Sequence, residues 1–137
     1  TLSEVLRRLG AFIVFDVSIP VSLVPKFITK ATRFCNEFCE LGRVFVFGHI
    51  GDGNIHYYLF EPIDGNTENF LSKKSEIIAN INDITAKLDG SFSAEHGIGL
   101  AKKQELEKYK SHVELKLMRE MKKTIDPNNI MNPGKVL

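Results

Sequence analysis

Two short apolar runs on either side of Gly51-Asp52-Gly53 constrain this chain more than any other feature. Residues 43–49 read R-V-F-V-F-G-H and residues 54–60 read N-I-H-Y-Y-L-F. Aromatic and β-branched side chains dominate both, and such residues fit a pleated, half-buried surface. Asp-Gly between two such runs is a strong hairpin signal, because the turn needs residues that tolerate positive φ. The glycines need no catalytic role beyond that geometry, and Asp52 reads as a turn residue. With Asp52 and Gly53 as the two turn residues, Gly51 opposes Asn54, Ile50 opposes Ile55 and His49 opposes His56. Opposed residues share a face with Cβ atoms about 5 Å apart. Two imidazoles so placed can converge on one ion at bonds of about 2.0–2.1 Å. A turn wider by one residue breaks that opposition.

The surrounding pattern is α+β. Residues 11–17 (A-F-I-V-F-D-V) read as a buried strand stopped by Pro20. Between 21 and 40, Val24, Phe27, Ile28, Ala31, Phe34, Cys35 and Phe38 recur at helical spacing, and Gly42 ends that helix. A second helix is expected over 68–88, followed by a short fourth strand over 91–94. The order is β-α-β-β-α-β, a ferredoxin-like antiparallel sheet, with additional C-terminal helices over 98–109 and 114–125 and a loop beyond. No repeat or low-complexity linker interrupts it, so a single domain over 1–137 is expected.

Charge excludes some functions. A net charge of +1 over 137 residues lacks the concentrated basic face that nucleic acid requires. The densest basic run, 116–123, is interrupted by Glu120 and reads as a solvated helix face. Cys35 and Cys39, four apart on a helix, have no further ligands near them in sequence and read as reduced, intracellular thiols. No unbroken apolar run reaches the 18 or so residues of a transmembrane helix, and no secretory pattern opens the chain. It begins with Thr1 rather than Met, so an excised domain with targeting information out of view is one expectation.

A second polar block, S-A-E-H-G-I-G over 93–99, leaves a strand and enters a helix. Glu95 there has an ordinary reading as negative charge near a helix N-terminus. Its functional reading is a third, oxygen ligand beside His49 and His56, with His96 left as a general base. Gly97 and Gly99 would let backbone approach a substrate closely. His112 is assigned to surface or capping duty.

Four segments carry a resemblance. They are D-V-S-I-P over 16–20, G-H-I-G-D-G-N-I-H over 48–56, the 93–99 block, and Asp126-Pro127 through Asn132-Pro133-Gly134-Lys135. In this order they resemble the C-terminal domain of FAD-linked oxidases of the vanillyl-alcohol-oxidase type, in the D-lactate, glycolate and D-2-hydroxyglutarate dehydrogenase branch. The resemblance implies an FAD-dependent oxidoreductase that converts a 2-hydroxy acid to a 2-oxo acid by hydride transfer to FAD. It implies zinc or manganese on His49, His56 and Glu95, with His96 as the catalytic base and a substrate contact. Ser3 matches a hydroxyl residue that binds substrate, and Asn132 lies in a tail that approaches the flavin. A substrate-anchoring lysine is matched here by Val14 and an asparagine by Tyr58, which favours a smaller or more apolar 2-hydroxy acid over a dicarboxylate. The implied partners are that substrate and an FAD-binding domain of the same polypeptide, nothing like which occurs in these 137 residues. A homodimer is a possible assembly, and the expected location is cytoplasmic, or the mitochondrial matrix in a eukaryote. The competing readings are a non-catalytic ferredoxin-like binding or assembly module that retains the metal motif and, more weakly, an independent metal hydrolase.

Overall fold

Residues 12–18 alternate strictly between a core-facing apolar set and a second face, and that alternation makes β1 (Phe12–Ser18) a strand. It belongs to a computed structural model that describes residues 6, 8–40 and 42–137. After Pro20 a single 3-10 turn, Val21–Leu23, leads into α1 (Val24–Phe38), whose first turn carries Pro25. Proline suits that place because its missing N–H would have no helical partner there. β2 (Arg43–His49) and β3 (Asn54–Phe60) follow with the bounds expected from sequence. α2 (Thr67–Ser72) and α3 (Lys74–Ala86) come next, then α4 (Lys103–Tyr109) and α5 (His112–Ile125).

The sheet is antiparallel with order β1-β3-β2, so β3 lies between the two strands that α1 connects. One face is apolar throughout. Ile13, Phe15 and Val17 of β1 join Ile55, Tyr57 and Leu59 of β3 in a core closed by Val24, Phe27, Ala31 and Cys35 of α1 and by Ile77 and Ile81 of α3. Tyr57 sits at its centre, edge-on to Phe27 at 6.0 Å between ring centroids. Each such side chain contributes roughly 1.5–3 kcal/mol of burial. Tyr57 also keeps its hydroxyl 3.1 Å from that of Thr32, so the one polar atom of the ring has a partner.

The other face is built in rows that run across β1, β3 and β2. Phe12, Phe60 and Arg43 form the first, and Val14, Tyr58 and Phe45 the second. Asp16, His56 and Phe47 form the third, and Ser18, Asn54 and His49 the fourth. Polar side chains therefore collect at one end of this face and rings at the other.

Three expectations are corrected. The fourth strand reduces to a bridge between Ser91 and Ser18, on the outer edge of β1 where a ferredoxin-like sheet would continue. The Ser91 hydroxyl donates to the Ser93 carbonyl at 3.0 Å, a local turn that draws the chain away from the ladder. The helix expected over 68–88 is two helices that meet at Lys73. Asn66 caps the first through its side chain, and the Ser72 hydroxyl takes the Asn69 carbonyl at 2.8 Å. The Lys73 amide turns to Phe70 instead, at 3.3 Å. The helix expected from Ile98 begins only at Lys103, because the backbone takes positive φ at Gly97 and Gly99.

The chain divides into two compact units, 1–95 and 96–137. In the second unit, α5 is held at its start by a capping box: Ser111 Oγ accepts the Glu114 amide, and Glu114 accepts the Ser111 amide. Capping thus falls to Ser111, with His112 exposed as the first helical residue. Asp126 closes the other end of α5. Its carboxylate is buried, pairs with Lys122, and accepts the amides of Ile130 and Met131, each at 2.9 Å. The Lys122 ammonium is the main reason its carboxyl lies below the usual aspartate range. The tail returns over the same unit, where Lys103 donates to the carbonyls of Gly134 and Leu137 at 2.9 and 3.0 Å.

Candidate metal and substrate site

The hairpin between β2 and β3 is wider than the Asp-Gly turn read from sequence. Residues Ile50–Asp52 form a 3-10 turn, and Gly53 closes it in the left-handed region at φ +67. A Cβ on Gly53 would stand 1.9 Å from the carbonyl oxygen of Ile19, so both the backbone angle and the space require glycine. The loop is two residues longer than expected, and His49 pairs with Asn54 while His56 pairs with Phe47. Direct opposition of His49 and His56 is therefore overturned. Because strand side chains alternate with a period of two, a shift of two keeps both on one face. They are diagonal neighbours, with rings 6.3 Å apart and nearly perpendicular.

His56 is the buried member, in the middle of β3. Its Nδ1 faces Asp16 Oδ1 at 3.6 Å, and its Nε2 lies 2.7 Å from Glu95 Oε1. Asp16 is the only acidic residue of β1 and one of the most deeply buried side chains described. It carries a second duty: Oδ2 accepts the amides of Ala94 and Glu95 at 3.1 and 2.9 Å. Those bonds carry residues 94–95 past the end of β1 and bring Glu95 to His56. Sequence reasoning did not assign Asp16 to the site. The signal was a lone carboxylate within an apolar strand, which is costly to bury without partners.

The donor set suits a divalent ion. Asp16, His56 and Glu95 each offer one ligand atom, and these atoms lie within 4.8 Å of one another. Donors bound to one ion at about 2.0–2.1 Å stand about 3 Å apart, close to the separation of His56 Nε2 and Glu95 Oε1. Asp16 takes the place of the carboxylate that commonly orients a metal-bound histidine through its far nitrogen. His49 stands at the exposed end of β2, its Nδ1 3.4 Å from Asn54 Nδ2. Asn54 Oδ1, buried on the same row, has no hydrogen-bond partner among the described residues.

The other residues singled out in sequence fall as follows. Tyr58 is half-buried one row from His56 and stacks on Phe47 at 5.4 Å and 18°. Ser3 lies outside the described residues. His96, the residue after Glu95, opens the second unit and is exposed. Asn132 belongs to that unit too, exposed and at φ +45.

The pattern of FAD linked oxidases, C-terminal domain, matches residues 2–136. The chain belongs to this family. Among its curated relatives, the D-2-hydroxyglutarate dehydrogenase of Stutzerimonas stutzeri strain A1501 is 36% identical over 121 residues, covering 88% of this chain and 26% of that protein. The probable mitochondrial D-2-hydroxyglutarate dehydrogenase of Oryza sativa subsp. japonica is 35% identical over 136 residues, covering 99% of this chain and 23% of that protein. A probable mitochondrial D-lactate dehydrogenase of Danio rerio is 33% identical over 124 residues, 89% of this chain and 24% of that protein. The chain thus spans about a quarter of the length of these relatives. Among the described residues, no helix of this FAD-linked oxidase domain is long and apolar enough to cross a membrane.

Proposed function

We propose that this domain supplies the substrate- and metal-binding half of an FAD-dependent 2-hydroxy-acid dehydrogenase, which oxidises a 2-hydroxy acid to the 2-oxo acid. The observation that carries the proposal is the approach of His56 Nε2 to Glu95 Oε1 at 2.7 Å, with Asp16 behind the ring. In this reading His49, His56 and Glu95 are the metal ligands, for zinc or manganese. Asp16 orients the His56 ring so that Nε2 faces outward. When bound, a divalent ion at these residues would acidify and orient the substrate 2-hydroxyl, and FAD would supply the hydride acceptor for the α-carbon. His96 takes the hydroxyl proton on its imidazole nitrogen. The α-carbon would thus lose a hydride, one proton with two electrons, to the flavin, and the hydroxyl a proton to His96, which together balance oxidation of the 2-hydroxy acid to the 2-oxo acid. Ser3 and Tyr58 contact substrate, and Asn132 contacts the flavin, which is held by another domain of the same polypeptide.

The test is metal titration of the purified protein with zinc and with manganese, followed by calorimetry. One site per chain is expected, lost in His56→Ala and Glu95→Ala. Binding left unchanged by both substitutions would sink the proposal.

A further inference from the structure

We infer that the 2-hydroxy acid accepted here carries an apolar side chain of branched or aromatic type, received by the ring-lined end of the sheet face that holds His56. The inference rests on the dehydrogenase reading above and adds the class of substrate.

The face changes character abruptly. Beside His56, Phe47 lies 5.4 Å away between ring centroids and stacks on Tyr58. Tyr58 in turn stacks on Phe60 at 6.2 Å and 19°. The rings form a continuous wall that begins at the polar cluster and leads away from it along the strands. Successive rows on one face are about 7 Å apart, so a side chain extending from an α-carbon held at His56 and Glu95 reaches the row of Val14, Tyr58 and Phe45. Two members of that row retain solvent exposure, Val14 at 41% and Phe45 at 42%. They are open to contact.

The charge on this face disfavours a dicarboxylate. Among the described strand residues of this face the single cation is Arg43, at the far end. Arg43 is engaged: it donates to the carbonyls of Leu9 and Glu61, and its guanidinium lies 5.7 Å over the Phe60 ring. Among the described residues of this face no free cation meets a second carboxylate, which would lose its water against the rings without compensation. A benzyl or isobutyl group at the same place loses only unfavourable contact with water.

The experiment compares kcat/KM of the flavin-loaded full-length enzyme for phenyllactate, 2-hydroxyisocaproate and 2-hydroxyglutarate. The two apolar acids should exceed 2-hydroxyglutarate by about ten-fold or more, the discrimination that a few methylenes of apolar contact supply. Val14→Lys and, independently, Phe45→Lys should shrink that ratio by raising the rate with 2-hydroxyglutarate. A wild-type preference for 2-hydroxyglutarate, or equal rates, overturns the inference and leaves the dehydrogenase reading standing. A ratio that both folded, flavin-loaded variants leave unchanged also overturns it, because another part of the polypeptide then covers these rings. No turnover of any 2-hydroxy acid overturns both readings.

Discussion

The carboxylate of Asp16 accepts the backbone amide of Glu95 at 2.9 Å, so a residue of the first strand holds the one that follows the sheet's last bridge. The same carboxylate faces His56 from the other side. Asp16 therefore holds the backbone that presents Glu95, with its other oxygen 3.6 Å from the His56 ring, and in the proposed reading it is the positioning residue of the site. Asp16→Asn keeps the shape but forfeits charge-assisted bonds, which are worth about 1.5–3 kcal/mol each way against a neutral partner. A drop in stability of about that size is expected in chemical denaturation. Metal affinity should fall by about 10- to 100-fold, the usual effect of losing a group that orients a ligand. A stability loss with unchanged affinity would reduce Asp16 to a purely structural role.

Gly53→Ala should be more damaging than an ordinary glycine replacement in a turn. The left-handed backbone alone costs about 1 kcal/mol, and the new methyl also meets the Ile19 carbonyl. A loss of more than about 2 kcal/mol is expected. Because this turn sets the pairing of His49 with Asn54, amide shifts in a nitrogen–proton spectrum should spread through 48–56. Shifts confined to residue 53 and its neighbours would show that the strands hold the register unaided.

Cys35 and Cys39 are free and buried in the helical layer. Burial pushes the Cys35 thiol up to about 11 and raises that of Cys39. Thiolate is the reactive form, and a group at that value is ionised in on the order of one molecule in a thousand at pH 8. Native protein should leave a disulfide reagent such as dithionitrobenzoate almost unreacted over minutes, and both thiols should react in guanidinium. Fast reaction of either thiol in the native state would contradict this packing.

Glu114 offers a pH test of the second unit. The Lys110 ammonium, then the Ser111 amide and hydroxyl, lower its carboxyl to about 2 from an ordinary 4.5. A carboxyl depressed in the folded state contributes fully above its unfolded value, and the contribution drains away as pH falls through the folded one. The start of α5 should therefore hold near pH 5 and weaken between about 4.5 and 2. Carbon-detected titration of the Glu114 carboxyl checks it, and Lys110→Ala should move the midpoint upward. A wild-type midpoint near 4.5 would show that the capping box is not formed.

Much of the fold was legible because patterning reports on burial. The bounds of β2 and β3, and the apolar stripe of α1, follow from side chains that alternate or recur with one face inward. What escaped were features fixed by competition between local bonds. Asp-Gly suits a two-residue turn, yet the longer loop wins and places Gly53 against Ile19. Ser72 and Ser91 divert backbone partners with their hydroxyls, which apolar periodicity does not register. The block containing Glu95 was visible as chemistry, and its approach to His56 follows the same strand order. Asp16 was visible only as an anomaly, because its partners lie on β3 and beyond α3 and are set by the sheet rather than by neighbours in sequence.

The separation of 79 positions along the chain between Asp16 and Glu95 has a consequence for how the proposed site would form. Contacts this distant in sequence form late, since the entropy of closing so long a loop must be met before they contribute. Until β1, β3 and the segment after α3 have all come together, His56, Glu95 and the Asp16 carboxylate beside them share no pocket. If the proposed site takes up zinc or manganese, the ion stabilises the native state alone, and the unfolding midpoint should climb with the logarithm of its free concentration.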